Sequence, residues 1–152
     1  LLTGGVSAGN FDHVPDCLRG LGAEILFHGV AVKPGKPALF ARLGERYIFG
    51  LPGNPVSTFV IFELFVKPFL YRRMGIEWTA PVFRGKIART IKRAAADRTE
   101  FLPVRVHAGL VEAVDYHGSA HLNALVDADG LIRIEAGVHE LAEGTQVDVR
   151  PL

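Results

Sequence analysis

Apolar and polar residues follow two different patterns along this chain, and the change falls near residue 80. Before it, apolar runs are long and separated by glycine and proline. Residues 1–3 read as the end of a strand that enters the glycine-rich loop Gly4-Gly5-Val6-Ser7-Ala8-Gly9-Asn10. A short helix is expected over 13–21, with Gly22 as its stop. Residues 23–32 are apolar enough for a buried strand. Lys33-Pro34-Gly35-Lys36-Pro37 ends it, because two prolines remove donors and fix φ. Residues 38–43 and 46–50 then alternate as two strands, with Gly44-Glu45 suited to a tight hairpin. Asn54 is a good N-cap and Pro55 a good first residue for a long helix reaching about residue 74. Pro68 should kink or interrupt that helix.

After Gly75 the runs shorten. Ala80-Pro81 reads as a boundary, and strands are expected at 82–91, 101–108, 111–115, 131–136 and 146–150. Their close spacing, broken by turn residues, predicts a small antiparallel sheet or barrel. One short helix is expected at 119–126. The fold class is thus α/β: half of an α/β layer followed by a small all-β domain. The first residues look like the inside of a sheet, so the chain is expected to be a piece of a longer protein.

Composition narrows this picture only a little. Hydrophobic residues make up 49% and charged residues 22%, enough for real cores. The net charge of +1 argues against a nucleic-acid partner held by bulk positive charge. The most apolar stretch, 56–66, is too short to span a bilayer, so no membrane partner is expected. A single cysteine, Cys17, permits no internal disulfide and fits a reducing cytoplasm.

Four places carry candidate chemistry. The Gly4-Gly5-Val6-Ser7 loop can bring backbone N–H groups close to a phosphate, or it can simply be a tight connection. Asp12 stands where a helix cap belongs; the other reading is a carboxylate that holds a hard cation. Lys33 and Lys36 flank Pro34-Gly35 on a stiffened loop at a strand end, where ligands bind in open α/β sheets. An anion between two fixed ammonium groups relieves their repulsion, whereas a solvated turn is the plainer alternative. Gly50-Leu51-Pro52-Gly53-Asn54-Pro55-Val56-Ser57 sets a helix N-terminus at a rigid turn, with Ser57 in the first turn. His117 and His121 are four apart but lack a third ligand for zinc. No Walker loop occurs. The stripe Val56, Phe59, Val60, Phe62, Phe65 and Phe69 reads as core or subunit contact.

Taken in order and at these distances, Thr3-Gly4-Gly5-Val6-Ser7, Asp12, Lys33-Pro34-Gly35-Lys36-Pro37 and Gly50-Leu51-Pro52-Gly53-Asn54-Pro55-Val56-Ser57 resemble the MoeA-type molybdopterin molybdenumtransferases. That family includes plant molybdenum insertases and the E domain of gephyrin. The later region resembles the family's C-terminal barrel through Arg98-Thr99-Glu100-Phe101 and Gly118-Ser119. The resemblance implies that 1–79 is the C-terminal half of a molybdopterin-binding α/β domain and 80–152 the barrel. It implies a reaction joining molybdate to adenylylated molybdopterin, with loss of AMP and help from Mg2+ or another divalent cation. Asp12, Lys33 and Lys36 would be catalytic, with Asp12 on the metal. Gly4, Gly5, Ser7, Lys33, Pro34, Lys36, Ser57, Arg98 and Ser119 would bind molybdate and the pterin phosphate. Arg98 would offer a forked donor, and Ser119 would close the pocket from the barrel side.

The resemblance further implies a cytoplasmic homodimer whose site draws on upstream domains, so that this chain alone does not turn over. One departure stands out: many relatives carry a lysine four residues before the first lysine of the motif, where this chain has Gly29. His28 is the neighbour that would supply a replacement. Two other readings remain. One is a scaffold or peptide-binding module on the same fold, as in gephyrin. The other is a related molybdopterin adenylyltransferase or CinA-like protein, disfavoured by the lysine motif and the second domain.

Overall fold

The computed structural model describes residues 1–7, 9, 12–114 and 123–152, with the backbone alone at 123 and 124. They fall into two units, Leu1–Trp78 and Thr79–Leu152.

The first unit begins with β1 (Leu2–Thr3), α1 (Val14–Gly20), β2 (Glu24–His28) and β3 (Val32–Lys33). The hairpin β4 (Leu39–Leu43) and β5 (Arg46–Leu51) follows, and Gly44 supplies the positive φ of 57° that its two-residue turn needs. A sheet in the order β1-β5-β4-β2 results, with β1 parallel to β5 and the other pairs antiparallel. The expected buried strand at 23–32 is corrected on two counts. It stops at His28, because Gly29 turns the chain at φ 100° and gives its N–H to the Ala38 carbonyl, 2.8 Å away. Within this sheet β2 pairs with β4 alone, so its residues alternate between exposed and half-buried. A fully buried strand needs cover on both faces, which this edge position lacks.

The helix expected after Asn54 forms as α2 (Pro55–Ile61), a π-helical turn at Phe62–Val66 and α3 (Lys67–Arg73). The α-helical run is therefore interrupted ahead of Pro68, by a π-turn and not by a loop. The Lys67 N–H reaches back five residues to Phe62, and this widened turn absorbs the proline's missing donor and its ring. Val56, Val60 and Val66 are buried. Phe65 lies 5.9 Å from Phe27 with the rings tilted, and Phe69 lies 5.1–5.6 Å from Tyr47, Phe49 and Phe40. The aromatic stripe thus packs onto the face of its own sheet.

The second unit contains β6 (Phe83–Ile87), β7 (Ile91–Lys92), β8 (Thr99–His107), β9 (Leu110–Ala113), α4 (Asn123–Val126), β10 (Gly130–Ile134), β11 (Glu140–Leu141) and β12 (Gln146–Pro151). Pairings β8–β10, β10–β12, β12–β6, β6–β9 and β9–β8 close a barrel. Its interior holds Ile87, Val104, Val111, Ile132, Ile134 and Val149. Gly130 is required there, since a Cβ would lie 2.6 Å from the Arg150 carbonyl oxygen of the neighbouring strand. The expected run 82–91 is two strands, and β7 pairs with β11, for which no strand was expected. Two-residue strands carry too little alternation to be read.

Candidate functional site

β1 and β5 run parallel and side by side, so the loops that follow them leave from the same edge of the sheet. These are the glycine loop after Thr3 and the Leu51-Pro52-Gly53-Asn54 turn before α2. Gly4 gives its N–H to the Leu51 carbonyl at 3.0 Å. The loops then approach so closely that a Cβ on Gly53 would sit 3.2 Å from the Gly4 Cα. Gly4 and Gly5 have φ of 82° and 67°, conformations open to glycine and costly for other residues. Val6 turns inward and is buried against Gly50, while Ser7 is exposed. The glycines serve backbone approach, and the outward edge of the loop is polar.

The turn before α2 is braced from both sides. Asn54 caps the helix, its Oδ1 accepting the Ser57 N–H at 3.4 Å, and Pro55 is the first helical residue, as expected. Thr58 adds a brace that the sequence reading missed: its hydroxyl donates to the Pro52 and Asn54 carbonyls. Ser57 is buried, with 5% of its surface exposed.

The lysine loop leans on this same helix. Gly35 has φ 126° and packs so tightly that a Cβ would meet Ile61 Cδ1 at 2.5 Å and the Ser57 carbonyl oxygen at 3.8 Å. Pro34 and Gly35 are buried, Lys33 is half-buried and Lys36 is exposed. The Lys33–Pro34 peptide bond is cis. Backbone bonds close the loop: Val30 N–H to Lys36 O at 2.9 Å, and Ala38 N–H to Gly35 O at 3.2 Å. Lys36 is in no described ion pair. A ring nitrogen of His28, at the end of β2, lies 2.7 Å from the Val6 carbonyl oxygen and so ties the glycine loop to the strand that feeds the lysine loop. The three motifs therefore contact one another pairwise: glycine loop to turn, turn and helix to lysine loop, and lysine loop, through His28, to glycine loop.

Asp12 is placed differently from its expected capping position. The helix starts at Val14 with His13 as N-cap and no side-chain cap. Asp12 lies one residue further out, where its Oδ2 accepts the Gly9 N–H at 2.8 Å and closes a local turn. Among the described residues, no group of three or more His, Cys, Asp or Glu is arranged to hold a metal ion.

Arg98 belongs to the second unit, before β8, and its Nε donates to Asp97 at 3.1 Å. The arginine that organises that region is Arg93, which the sequence reading did not single out. Its Nε donates to Glu100 at 2.7 Å, Nη1 to the carbonyls of Glu135 and Val138 at 2.9 and 2.8 Å, and Nη2 to the Arg98 carbonyl at 2.6 Å. Nothing in a linear pattern marks it, because three of its four acceptors are backbone atoms and two of those lie in a distant loop. A cleft of about 580 Å³ in the same unit is lined in part by Arg89, Arg105, Glu112 and Asp127. Both signs of charge face it, and Arg105 is paired with Asp127 at 3.1 Å, which suits an anion poorly. Ser119, His117 and His121 lie outside the described residues.

Comparison with known proteins gives a consistent result. The family model "Probable molybdopterin binding domain" matches residues 1–72, and "MoeA C-terminal region (domain IV)" matches residues 85–152. A molybdopterin molybdenumtransferase of Synechococcus elongatus is 37% identical over 100% of this chain and 38% of its own length. One from Staphylococcus aureus is 32% identical over 98% of this chain and 36% of its own length. The chain thus spans a little over a third of the curated relatives it matches. Among solved structures, the molybdopterin biosynthesis MoeA protein of Pyrococcus horikosii superposes with a TM-score of 0.79 at 30% identity, covering 92% of this chain and 34% of that one. A molybdenum cofactor biosynthesis protein of Pyrococcus furiosus gives 0.72 at 28% identity, covering 84% and 45%.

Proposed function

This chain belongs to the MoeA family of molybdopterin molybdenumtransferases and matches its C-terminal part, and on that premise we propose that it forms part of the site that joins molybdate to adenylylated molybdopterin with release of AMP. The observation that carries the reading is the pairwise contact among glycine loop, turn and lysine loop, with the Lys36 ammonium left open beside them. Molybdate is a dianion and must approach an anionic pterin phosphate. Fixed positive charge lowers that barrier, and a rigid loop supplies it without reorganisation. Lys33 and Lys36 hold the oxyanion in this reading, and Pro34 stiffens their spacing. Gly4, Gly5 and Ser7 border the phosphate, and Ser57 adds a donor at the helix start. Arg98 and Ser119 contribute from the barrel domain, the boundary falling at 79–80.

A divalent cation fits in one form only. The described residues build no cage, and one oxygen of Asp12 already accepts the Gly9 N–H. Mg2+ commonly keeps several waters and binds through one or two carboxylates plus substrate phosphates. Asp12 is then the ligand from among the described residues, and the ion neutralises phosphate charge. We place the reaction in the cytoplasm and in a homodimer, with the remaining length of the family's proteins completing the site. No described helix is long and apolar enough to cross a membrane.

The test is a calorimetric titration of molybdate against sulfate, on this chain and on the full-length protein, each with its Lys36→Ala variant. Binding that prefers molybdate and falls at least tenfold in the variant is expected in the full-length protein. Equal binding of both anions, or indifference to Lys36, would sink the proposal.

A further inference from the structure

We infer that His28 is a positioning residue of this site: it sets the shape of the glycine loop through a hydrogen bond to Val6, and so couples that loop to the lysine loop. The inference rests on the functional reading above only for its consequence in catalysis. The imidazole Nε2 lies 2.7 Å from the Val6 carbonyl oxygen, twenty-two residues away in sequence. A carbonyl oxygen only accepts, so Nε2 carries the hydrogen and donates it. In the neutral ring this fixes the tautomer and leaves Nδ1 as an acceptor.

Among the described residues, Gly4 to Val6 have three other anchors, and all come from β5 and the start of α1. Gly4 N–H goes to Leu51, Gly5 O accepts from Val14 at 3.1 Å, and the Val6 side chain fills the space over Gly50. Among the described contacts, His28 alone reaches this loop from β2. The next two residues carry the backbone bonds that close the lysine loop, Gly29 N–H to Ala38 and Val30 N–H to Lys36. A shift of either loop is therefore felt by the other through one side chain.

The experiment compares the full-length protein with its His28→Ala and His28→Gln variants. Glutamine keeps an N–H donor at about the reach of Nε2 but carries no charge. Two readouts are taken: amide hydrogen exchange at residues 4–7, and the KM and kcat of molybdenum insertion. His28→Ala is expected to speed exchange in that loop and raise KM, each by roughly two- to tenfold, the scale of one hydrogen bond. His28→Gln is expected to restore both. Unchanged exchange in His28→Ala overturns the inference. So does a His28→Gln variant no better than His28→Ala, which would assign the role to the imidazole's charge. Should the parent protein insert no molybdenum, the functional reading falls, while the exchange data still decide whether His28 holds the loop.

Discussion

The lysine loop of the first unit and the Arg93 loop of the second both place a cation on a tightly turned segment, yet they use it in opposite ways. Around Lys36 the backbone does the holding. Its carbonyl accepts from Val30, Gly35 packs on Ile61, and the ammonium stays exposed. Around Arg93 the side chain does the holding. The Arg93 side chain is 4% exposed, meets Glu100 at 8%, and gathers three carbonyls from two loops. A cation with four of its five donors directed into the protein stabilises structure and has little left for a ligand. One whose loop is rigid without it is available to bind.

If that contrast is correct, the largest effect on folding belongs to Arg93. Arg93→Ala removes the guanidinium that pairs with buried Glu100 at 2.7 Å and that supplies the donors to three carbonyls. A loss of about 3–5 kcal/mol is expected, the usual cost of breaking a buried pair from one side. Denaturant unfolding followed by a probe in the barrel measures it. Replacing both partners, Arg93→Met with Glu100→Leu, should recover much of the loss, because no uncompensated charge stays behind. A single-variant loss under about 1 kcal/mol would class the pair with solvated surface bridges and erase the contrast.

Next in size is Gly35→Ala, which attacks the backbone that holds Lys36. The new Cβ would lie 2.5 Å from Ile61 Cδ1 in a φ of 126° that alanine disfavours. About 2 kcal/mol of destabilisation is expected from overpacking and strain together. Adding Ile61→Ala removes the clash but not the strain. The double variant should therefore lose less than the sum of the singles. Strict additivity would mean that the loop does not lean on α2.

How much of this was legible in the sequence follows from which contacts are local. The Asn54-Pro55 helix start, the Gly44-Glu45 hairpin and the barrel's longer strands were readable because a cap, a turn or an alternating run declares itself within a few residues. The glycine and lysine motifs were readable as motifs, and their order carried the family resemblance. Their assembly was not readable. It depends on β1 pairing with β5 across nearly fifty residues, on Gly35 meeting Ile61, and on His28 meeting Val6. Asp12 shows the converse error. Local spacing suggested a helix cap, but Gly9 offered its N–H first and the helix began two residues later. At Pro68 the expected interruption takes the form of a π-turn, which a linear pattern does not declare.

The smallest expected effect on folding is the most informative about function. Lys36→Ala removes an exposed side chain with no described ion pair, while the Val30 and Ala38 backbone bonds that shape the loop stay in place. Stability should change by no more than about 0.5 kcal/mol, as at ordinary surface positions. The same substitution is expected to abolish molybdate preference in the titration proposed above. Arg93→Ala should show the reverse, a large stability loss with anion selectivity intact in whatever fraction remains folded. If Lys36→Ala instead destabilises the first unit by more than about 1 kcal/mol, its ammonium is part of the scaffold. The oxyanion would then have to be held by Lys33 and the backbone N–H groups of the glycine loop, and the distinction between the two loops would be one of burial alone.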